Sequence, residues 1–265
     1  MRFKALIAYD GTSYYGWQIQ KQYPTIQSTI RNALETICRG PVDVVGAGRT
    51  DSGVHASGQV AHFDWEHSLP PEKLILALTT LLPTDIRVLS LEPADPDFHA
   101  RFDAKSKVYL YRINRSRTTD PFTFRFSHLF PLPLDLNLLA ECAGRIQGEH
   151  DFSAFQASGT DIVTTWRTVF GVELLTPASA FPYLETIQPG LIFVRIHATG
   201  FLRKMMRLLI GTMLEIGSGK RPLEHLSLAL ETGNKQLTGI PAPARGLFLE
   251  KVFYTEEIAT TDDPR

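Results

Sequence analysis

The hydrophobic period of this chain switches repeatedly between two and 3.6 residues, and that switching is what most restricts its fold. Residues 3–9 read as a strand. Over residues 25–38 the apolar positions Ile26, Ile30, Ala33, Leu34 and Ile37 recur at helical spacing, with Thr25 placed to cap the helix and Gly40-Pro41 to stop it. Val42-Asp43-Val44-Val45 and Gln59-Val60-Ala61-His62-Phe63 alternate like strands. Pro71 opens a second helix that runs to residue 82 and stops at Pro83, and residues 86–91 form another strand. The second half repeats these kinds of segment. Strands are expected at 108–113, 169–175, 192–197 and 247–254, and helices at 136–146, 201–216 and 223–230. The pattern predicts two related α+β halves, residues 1–103 and 104–254, followed by a disordered tail over 255–265. Residues 177–182 read as a hairpin or loop excursion. No internal sequence repeat is evident.

Between the two alternating segments of the first half lies Gly48-Arg49-Thr50-Asp51-Ser52-Gly53-Val54-His55-Ala56. It places a carboxylate, a guanidinium and an imidazole within nine residues punctuated by glycine. Glycine admits left-handed turns and close backbone approach, and a loop between strands is where a rigid scaffold usually carries chemistry. Asp51-Ser52-Gly53 is also an ordinary turn sequence, so local sequence leaves both readings open.

A chain of 265 residues, 43% of them hydrophobic, can build one large core or two smaller ones. No apolar run is long enough to span a membrane. The N-terminus reaches Asp10 too soon for a signal peptide, and a cytoplasmic protein is expected. Cys38 and Cys142 each sit in an apolar helical pattern, which fits small buried thiols. No cysteine–histidine spacing suggests zinc, and no metal is expected. A net charge of −1 does not mark a nucleic-acid binder, but its distribution is uneven. Over residues 101–125, Arg101, Lys105, Lys107, Arg112, Arg115, Arg117 and Arg125 are set against only Asp103 and Asp120. Arg203, Lys204 and Arg207 form a second concentration. Such clusters are either solvated faces or a surface that tracks phosphates.

The Gly48–Ala56 segment resembles the catalytic loop of the bacterial tRNA pseudouridine synthase I family. Other matching segments follow in order: Tyr9-Asp10-Gly11-Thr12 running to Gly16-Trp17-Gln18, Phe98-His99-Ala100-Arg101-Phe102, Lys107-Val108-Tyr109, Gly148-Glu149-His150-Asp151-Phe152, Phe201-Leu202-Arg203-Lys204-Met205-Met206-Arg207, and Gly246-Leu247-Phe248-Leu249. The similarity covers roughly residues 1–254, and the order and spacing of these motifs are highly specific together.

The resemblance implies the pseudouridine synthase fold: two ferredoxin-like α+β halves, a joined mixed and antiparallel sheet, and a central cleft. It implies an isomerase that converts uridine to pseudouridine at positions 38, 39 and 40 of the tRNA anticodon arm. Such an enzyme works as a homodimer, with no cofactor and no metal. Asp51 matches the nucleophile. Tyr109 matches the tyrosine that stacks on the target uracil and is the candidate for moving the carbon 5 proton. Arg207 matches the arginine that keeps the aspartate ionised. Arg49 matches the residue that flips the nucleotide and fills its place. Arg203 and Lys204 fall at positions suited to phosphate, with Arg203 and Arg207 expected on one helix face. Arg101, Lys105 and Lys107 are further RNA-contact candidates, and Leu247 is expected behind the base. Ser52 stands where alanine is usual and Leu208 where asparagine is frequent, and neither change removes a catalytic group. By residue type alone Tyr109 reads as a strand-core tyrosine, and only the Lys107-Val108-Tyr109 match turns it toward the base; Trp17 fits plain packing, and His55 fits either acid–base chemistry or ordering of the loop. A non-catalytic RNA-binding module, and a synthase for other uridines, are the competing readings. Whether Asp51 attacks ribose or base, or first removes a ribose proton, is open at this level.

Overall fold

A computed structural model of the chain describes residues 1–118, 120–157, 159, 163–176 and 190–255. The excursion expected at 177–182 and the tail from 256 lie outside the described residues. The chain divides into two units, Met1–Lys105 with the last strand from Phe248, and Ser106–Leu247. Both are α+β.

The first unit follows the order β1 (Arg2–Tyr9), α1 (Ile26–Cys38), β2 (Val45–Gly46), β3 (His55–Asp64), α2 (Pro71–Leu81) and β4 (Ile86–Ala94). This is the β-α-β-β-α-β succession of a ferredoxin-like unit. β1 lies between β4 and β3, antiparallel to both, and β2 is antiparallel to β3. Buried and half-buried residues alternate strictly along β1, so one face of the strand is packed. Thr25 caps α1 in a reciprocal box with Ser28, and Ile26, Ile30, Ala33 and Leu34 form its buried stripe. The last strand of the chain, β10 (Leu247–Phe253), pairs in parallel with β3, Phe248 opposite His55 and Leu249 opposite Ala56. Sequence analysis grouped that strand with the second half.

Two segments here differ from expectation for identifiable reasons. Residues 42–45 alternate like a strand, yet only Val45 and Gly46 join the ladder. Side chains of α1 take the backbone groups a strand would have paired: Gln27 Nε2 donates to the Val44 carbonyl at 2.7 Å, and Val42 N–H donates to Glu35 at 3.5 Å. Conversely, β3 begins at His55 rather than near residue 59, because β10 supplies a partner for His55 and Ala56, and Tyr9 of β1 pairs with Ala56 from the other side.

The second unit contains β5 (Ser106–Asn114), β6 (His128–Leu129), α3 (Leu136–Ile146), β7 (Gly148–Asp151), β8 (Trp166–Leu175), β9 (Leu191–Ala198), α4 (Met205–Gly217) and α5 (Glu224–Thr232). β5, β9, β8 and β7 neighbour one another in that order, each pair antiparallel, and β6 runs parallel to β5. α4 is buried along almost its whole length and packs on α3. Cys38 and Cys142 are free thiols; Cys142 is fully buried, which pushes its pKa up to about 12.

Candidate functional site

In the first unit the segment between β2 and β3 closes as a tight turn around Asp51. Val54 N–H donates to the Asp51 carbonyl at 3.1 Å. The stretch from Tyr9 to Trp17 holds that turn from below. Trp17 N–H donates to the Thr50 carbonyl at 3.1 Å, and Gly53 N–H donates to the Tyr14 carbonyl at 3.2 Å. The Ser52 hydroxyl also reaches the Tyr14 carbonyl, at 3.3 Å. The buried Tyr9 and Thr50 hydroxyls share a hydrogen bond of 2.9 Å, and Gln59 Nε2 donates to the Gly48 carbonyl at 2.9 Å. Gly16 makes this approach feasible. Its φ is +86°, and a Cβ there would lie 2.5 Å from the Thr50 carbonyl oxygen. Trp17 is buried against Tyr9, ring centroids 6.1 Å apart. Its role is the packing one, in direct support of the turn.

The result is a fixed backbone carrying a half-buried Asp51 carboxylate, with Arg49 and Ser52 exposed on either side. His55 lies outside this solvent-facing set. Its ring is fully buried, stacked on Phe248 at 4.7 Å, and Nδ1 is 3.1 Å from both the Gly11 nitrogen and the Asp10 carboxylate. A ring so enclosed joins the 9–17 stretch to the start of β3, the placement a loop-ordering histidine would have.

The second unit carries Tyr109 and Arg207. Tyr109 sits in the middle of β5 opposite Ile196, 7% exposed, edge-on to Phe201 with centroids 4.9 Å apart. Tyr111, two residues on, is fully buried and donates its hydroxyl to the Pro243 carbonyl at 2.8 Å. Arg207 is locked reciprocally to one residue: its Nε donates to the Ala242 carbonyl at 2.7 Å, and Ala242 N–H donates to the Arg207 carbonyl at 2.8 Å. That pairing requires the 240–242 segment to lie hard against α4. A Cβ at Gly211 would sit 1.8 Å from the Ile240 carbonyl oxygen, so only glycine fits there.

Arg203 and Arg207 do not share a helix face, contrary to expectation. α4 starts at Met205, and Lys204 before it is left-handed, with φ 62° and ψ 4°. That residue breaks the helical path. Arg203 therefore projects, exposed, from the turn ahead of the helix, its carbonyl accepting from Ala157 N–H at 3.0 Å, while Arg207 lies in the first turn. The basic stretch 101–125 is likewise divided. Arg101 and Lys105, both exposed, belong to the first unit; Lys107, half-buried, and the exposed Arg115, Arg117 and Arg125 belong to the second. Leu247 is buried, as a residue that only packs would be. Sequence reasoning gave no role to Phe102, quoted only within its motif, or to Phe122, and both are among the most exposed large apolar side chains described. The available signal was an aromatic residue within three positions of an arginine in a basic stretch. Among the described residues no group of side chains is arranged to hold a metal ion, and no helix is long and apolar enough to cross a membrane.

A family model for tRNA pseudouridine synthase matches residues 5–103 and 143–255. The chain belongs to the tRNA pseudouridine synthase family. Pseudouridine synthases are isomerases, and this chain is one of them. A protein named tRNA pseudouridine synthase A from Latilactobacillus sakei is 39% identical over 254 residues, covering 96% of this chain and 98% of that protein. The protein of the same name from a Geobacillus strain is 37% identical over 254 residues, with 96% and 98% covered. That from Syntrophotalea carbinolica is 39% identical over 254 residues, with 96% of each covered. The family match takes in Arg49, Asp51, Arg101, Arg203, Lys204, Arg207 and Leu247. It leaves out residues 104–142, which carry Lys105, Lys107 and Tyr109.

Proposed function

We propose that this synthase isomerises uridine at positions 38, 39 and 40 of the tRNA anticodon arm, with Asp51 as the nucleophile. The reaction breaks the bond between ribose carbon 1′ and uracil nitrogen 1, turns the base, and joins carbon 1′ to carbon 5. Carbon 5 loses a proton and nitrogen 1 gains one, so nothing is oxidised or reduced. The observation that carries the reading is the turn around Asp51. Thr50 and Gly53 on either side of it are bonded to the 9–17 stretch, so the carboxylate is presented on a backbone tied at both flanks while staying half-exposed. Fixed placement of a reacting group is worth several kcal/mol of barrier, on the order of 7–11 in the best cases.

A desolvated carboxylate needs a cation to remain ionised, and Arg207 is the proposed source. Two costs at α4 support an anion-directed role for its start. A cation in a first helical turn is opposed by the helix dipole, by about 0.3–1 kcal/mol. A left-handed non-glycine residue such as Lys204 costs about 1–2 kcal/mol. Expenditure of this kind gathers at functional sites. Tyr109 stacks on the target uracil and serves the carbon 5 proton. Arg49 occupies the space of the flipped nucleotide, whose unstacking costs a few kcal/mol. Arg101, Lys105, Lys107, Arg203 and Lys204 contact phosphates, with Leu247 behind the base. The enzyme acts in the cytoplasm as a homodimer on one tRNA.

The test is pseudouridine mapping in tRNA from cells lacking the protein, complemented with the native chain or with Asp51→Asn. Pseudouridine at 38–40 should return only with the native chain, while the purified variant keeps tRNA affinity within about tenfold, or 1.4 kcal/mol. Turnover by the variant overturns the nucleophile assignment. Modification restored at other uridines overturns the positions.

A further inference from the structure

The segment 98–103 is tied down along its backbone yet turns two side chains outward. Ala100 N–H donates to Nδ1 of His62, on β3, at 3.0 Å. The N–H groups of Arg101 and Phe102 are both directed at Nδ1 of His99, at 3.2 Å each. The Phe98 carbonyl accepts from the Arg2 guanidinium at 3.1 Å, and the Ala100 carbonyl from the Tyr254 hydroxyl at 2.7 Å. His99 N–H donates to the Asp103 carboxylate at 2.8 Å, and Asp103 N–H returns to the His99 carbonyl at 3.1 Å. Three consecutive backbone donors are thus held by two imidazoles whose centroids are 4.9 Å apart. An Nδ1 that accepts must carry no proton, so this arrangement needs both rings neutral.

Above that base, Phe102 is 75% exposed. Its ring stacks on His99 at 4.2 Å, and the Arg101 guanidinium lies 5.6 Å from the ring centroid. Holding a phenylalanine in water contributes little to folding and costs side-chain entropy. A fixed aromatic face beside an arginine, with exposed Lys105 three residues on, suits an unpaired nucleotide. Stacking on an aromatic ring is sequence-tolerant, and the cation meets the phosphate.

We propose that Phe102 and Arg101 form a stacking platform for an unpaired base of the RNA, and that His62 and His99 are positioning residues that hold it. The inference rests on the tRNA reading and adds a contact outside the reacting nucleotide. It carries a pH signature of unusual sign. Facing His62 are Arg2 from β1, Asp64 from β3, and His99 and Asp103 from the segment itself. Burial and the Arg2 charge already hold the His62 pKa below its ordinary value. Protonation would set a donor against Ala100 N–H and loosen the platform. Affinity for tRNA should therefore fall on acidification toward the lowered His62 pKa, whereas added positive charge alone would raise it.

The experiment measures tRNA affinity by filter binding at fixed ionic strength, from pH 7.5 to 5.5, together with sedimentation and pseudouridine formation. Phe102→Ala should weaken binding roughly tenfold with its salt dependence unchanged. Phe102→Trp should recover most of that loss, and its added fluorescence should be quenched by tRNA. His99→Asn, whose Oδ1 stands near the place of Nδ1, should keep the affinity that His99→Ala loses, with the melting profile as a check on folding. Native affinity that rises on acidification overturns the clamp. A Phe102→Ala protein that binds within about twofold of the native chain and modifies tRNA normally overturns the platform and leaves the enzymatic reading standing. A native chain that modifies no tRNA removes that reading instead. A smaller sedimenting species for Phe102→Ala would assign the ring to a second copy of the chain and also overturn the proposal.

Discussion

Replacing Gly16 by alanine should damage catalysis far more than its distance in sequence from Asp51 suggests. At φ +86° an alanine costs about 1–2 kcal/mol in backbone strain. Its Cβ would also stand 2.5 Å from the Thr50 carbonyl oxygen and 3.1 Å from the Asp51 carbonyl carbon. No flexible side chain is there to swing aside. The Thr50–Asp51 backbone has to retreat by at least half an ångström, or the 16–17 segment has to leave, and Trp17 N–H then loses its bond to Thr50. A lost buried backbone bond adds about 1 kcal/mol, which brings the stability loss to roughly 2–3 kcal/mol. Misplacement of a reacting group by about 1 Å costs around a hundredfold in rate. Single-turnover pseudouridine formation at saturating tRNA should therefore fall about thirty- to hundredfold. Denaturant unfolding supplies the stability term. Gly40→Ala is the control, since a Cβ there meets nothing within 4 Å and φ is not positive; it should stay within about 0.5 kcal/mol with an unchanged rate. A Gly16→Ala enzyme that turns over within about threefold of the native rate would refute the claim that this contact positions the carboxylate.

Arg207→Ala should lower the single-turnover rate well beyond Arg203→Ala, because Arg207 is fixed through Ala242 whereas Arg203 projects into solvent; equal losses in the two variants would contradict that division. His128, on β6, has its pKa pushed down to about 4, first by burial and then by the charge of Arg245. Its unfolded value is about 6.5, so its contribution to stability is complete above that pH and is lost as pH falls from 6.5 toward 4. Allowing for partial solvation, the loss is about 2 kcal/mol, and His128→Gln should flatten this part of the stability curve in denaturant titrations at pH 7 and pH 4.5.

Much of the α+β pattern was legible because hydrophobic period, caps and prolines agree. Thr25 caps α1 and Pro71 opens α2 where expected. What escaped prediction was decided by partners remote in sequence. Val42 to Val45 has strand periodicity, but Gln27 and Glu35 compete for its backbone. Nothing in residues 201–207 advertises that Lys204 is left-handed and that Arg203 stands outside the helix. Asp51 could be picked from its glycine-punctuated loop. The devices that fix that loop, Tyr9 against Thr50 and Gly16 against the Thr50 carbonyl, join positions tens of residues apart and leave no periodic trace. Tyr109 shows the same limit in another form, since a strand tyrosine that packs and one that meets a base have the same sequence signature.

The parallel pairing of β10 with β3 has a consequence for how the chain matures. His55, where the strand after the Asp51 turn begins, takes its partner from Phe248, about 190 residues later, while Ala56 is paired both by Leu249 and by the early Tyr9. During synthesis the ribosome delivers β1 through β4 early, but the stacking of His55 on Phe248 has to wait until nearly the whole chain has emerged. The long loop closure makes that last strand a slow, late contact. A nascent or proteolytically shortened chain ending before residue 247 can hold both Asp51 and Arg207 and still lack the strand that backs the turn. Until the last strand is made, His55 lacks the Phe248 ring that encloses it and the segment after the Asp51 turn lacks its parallel neighbour.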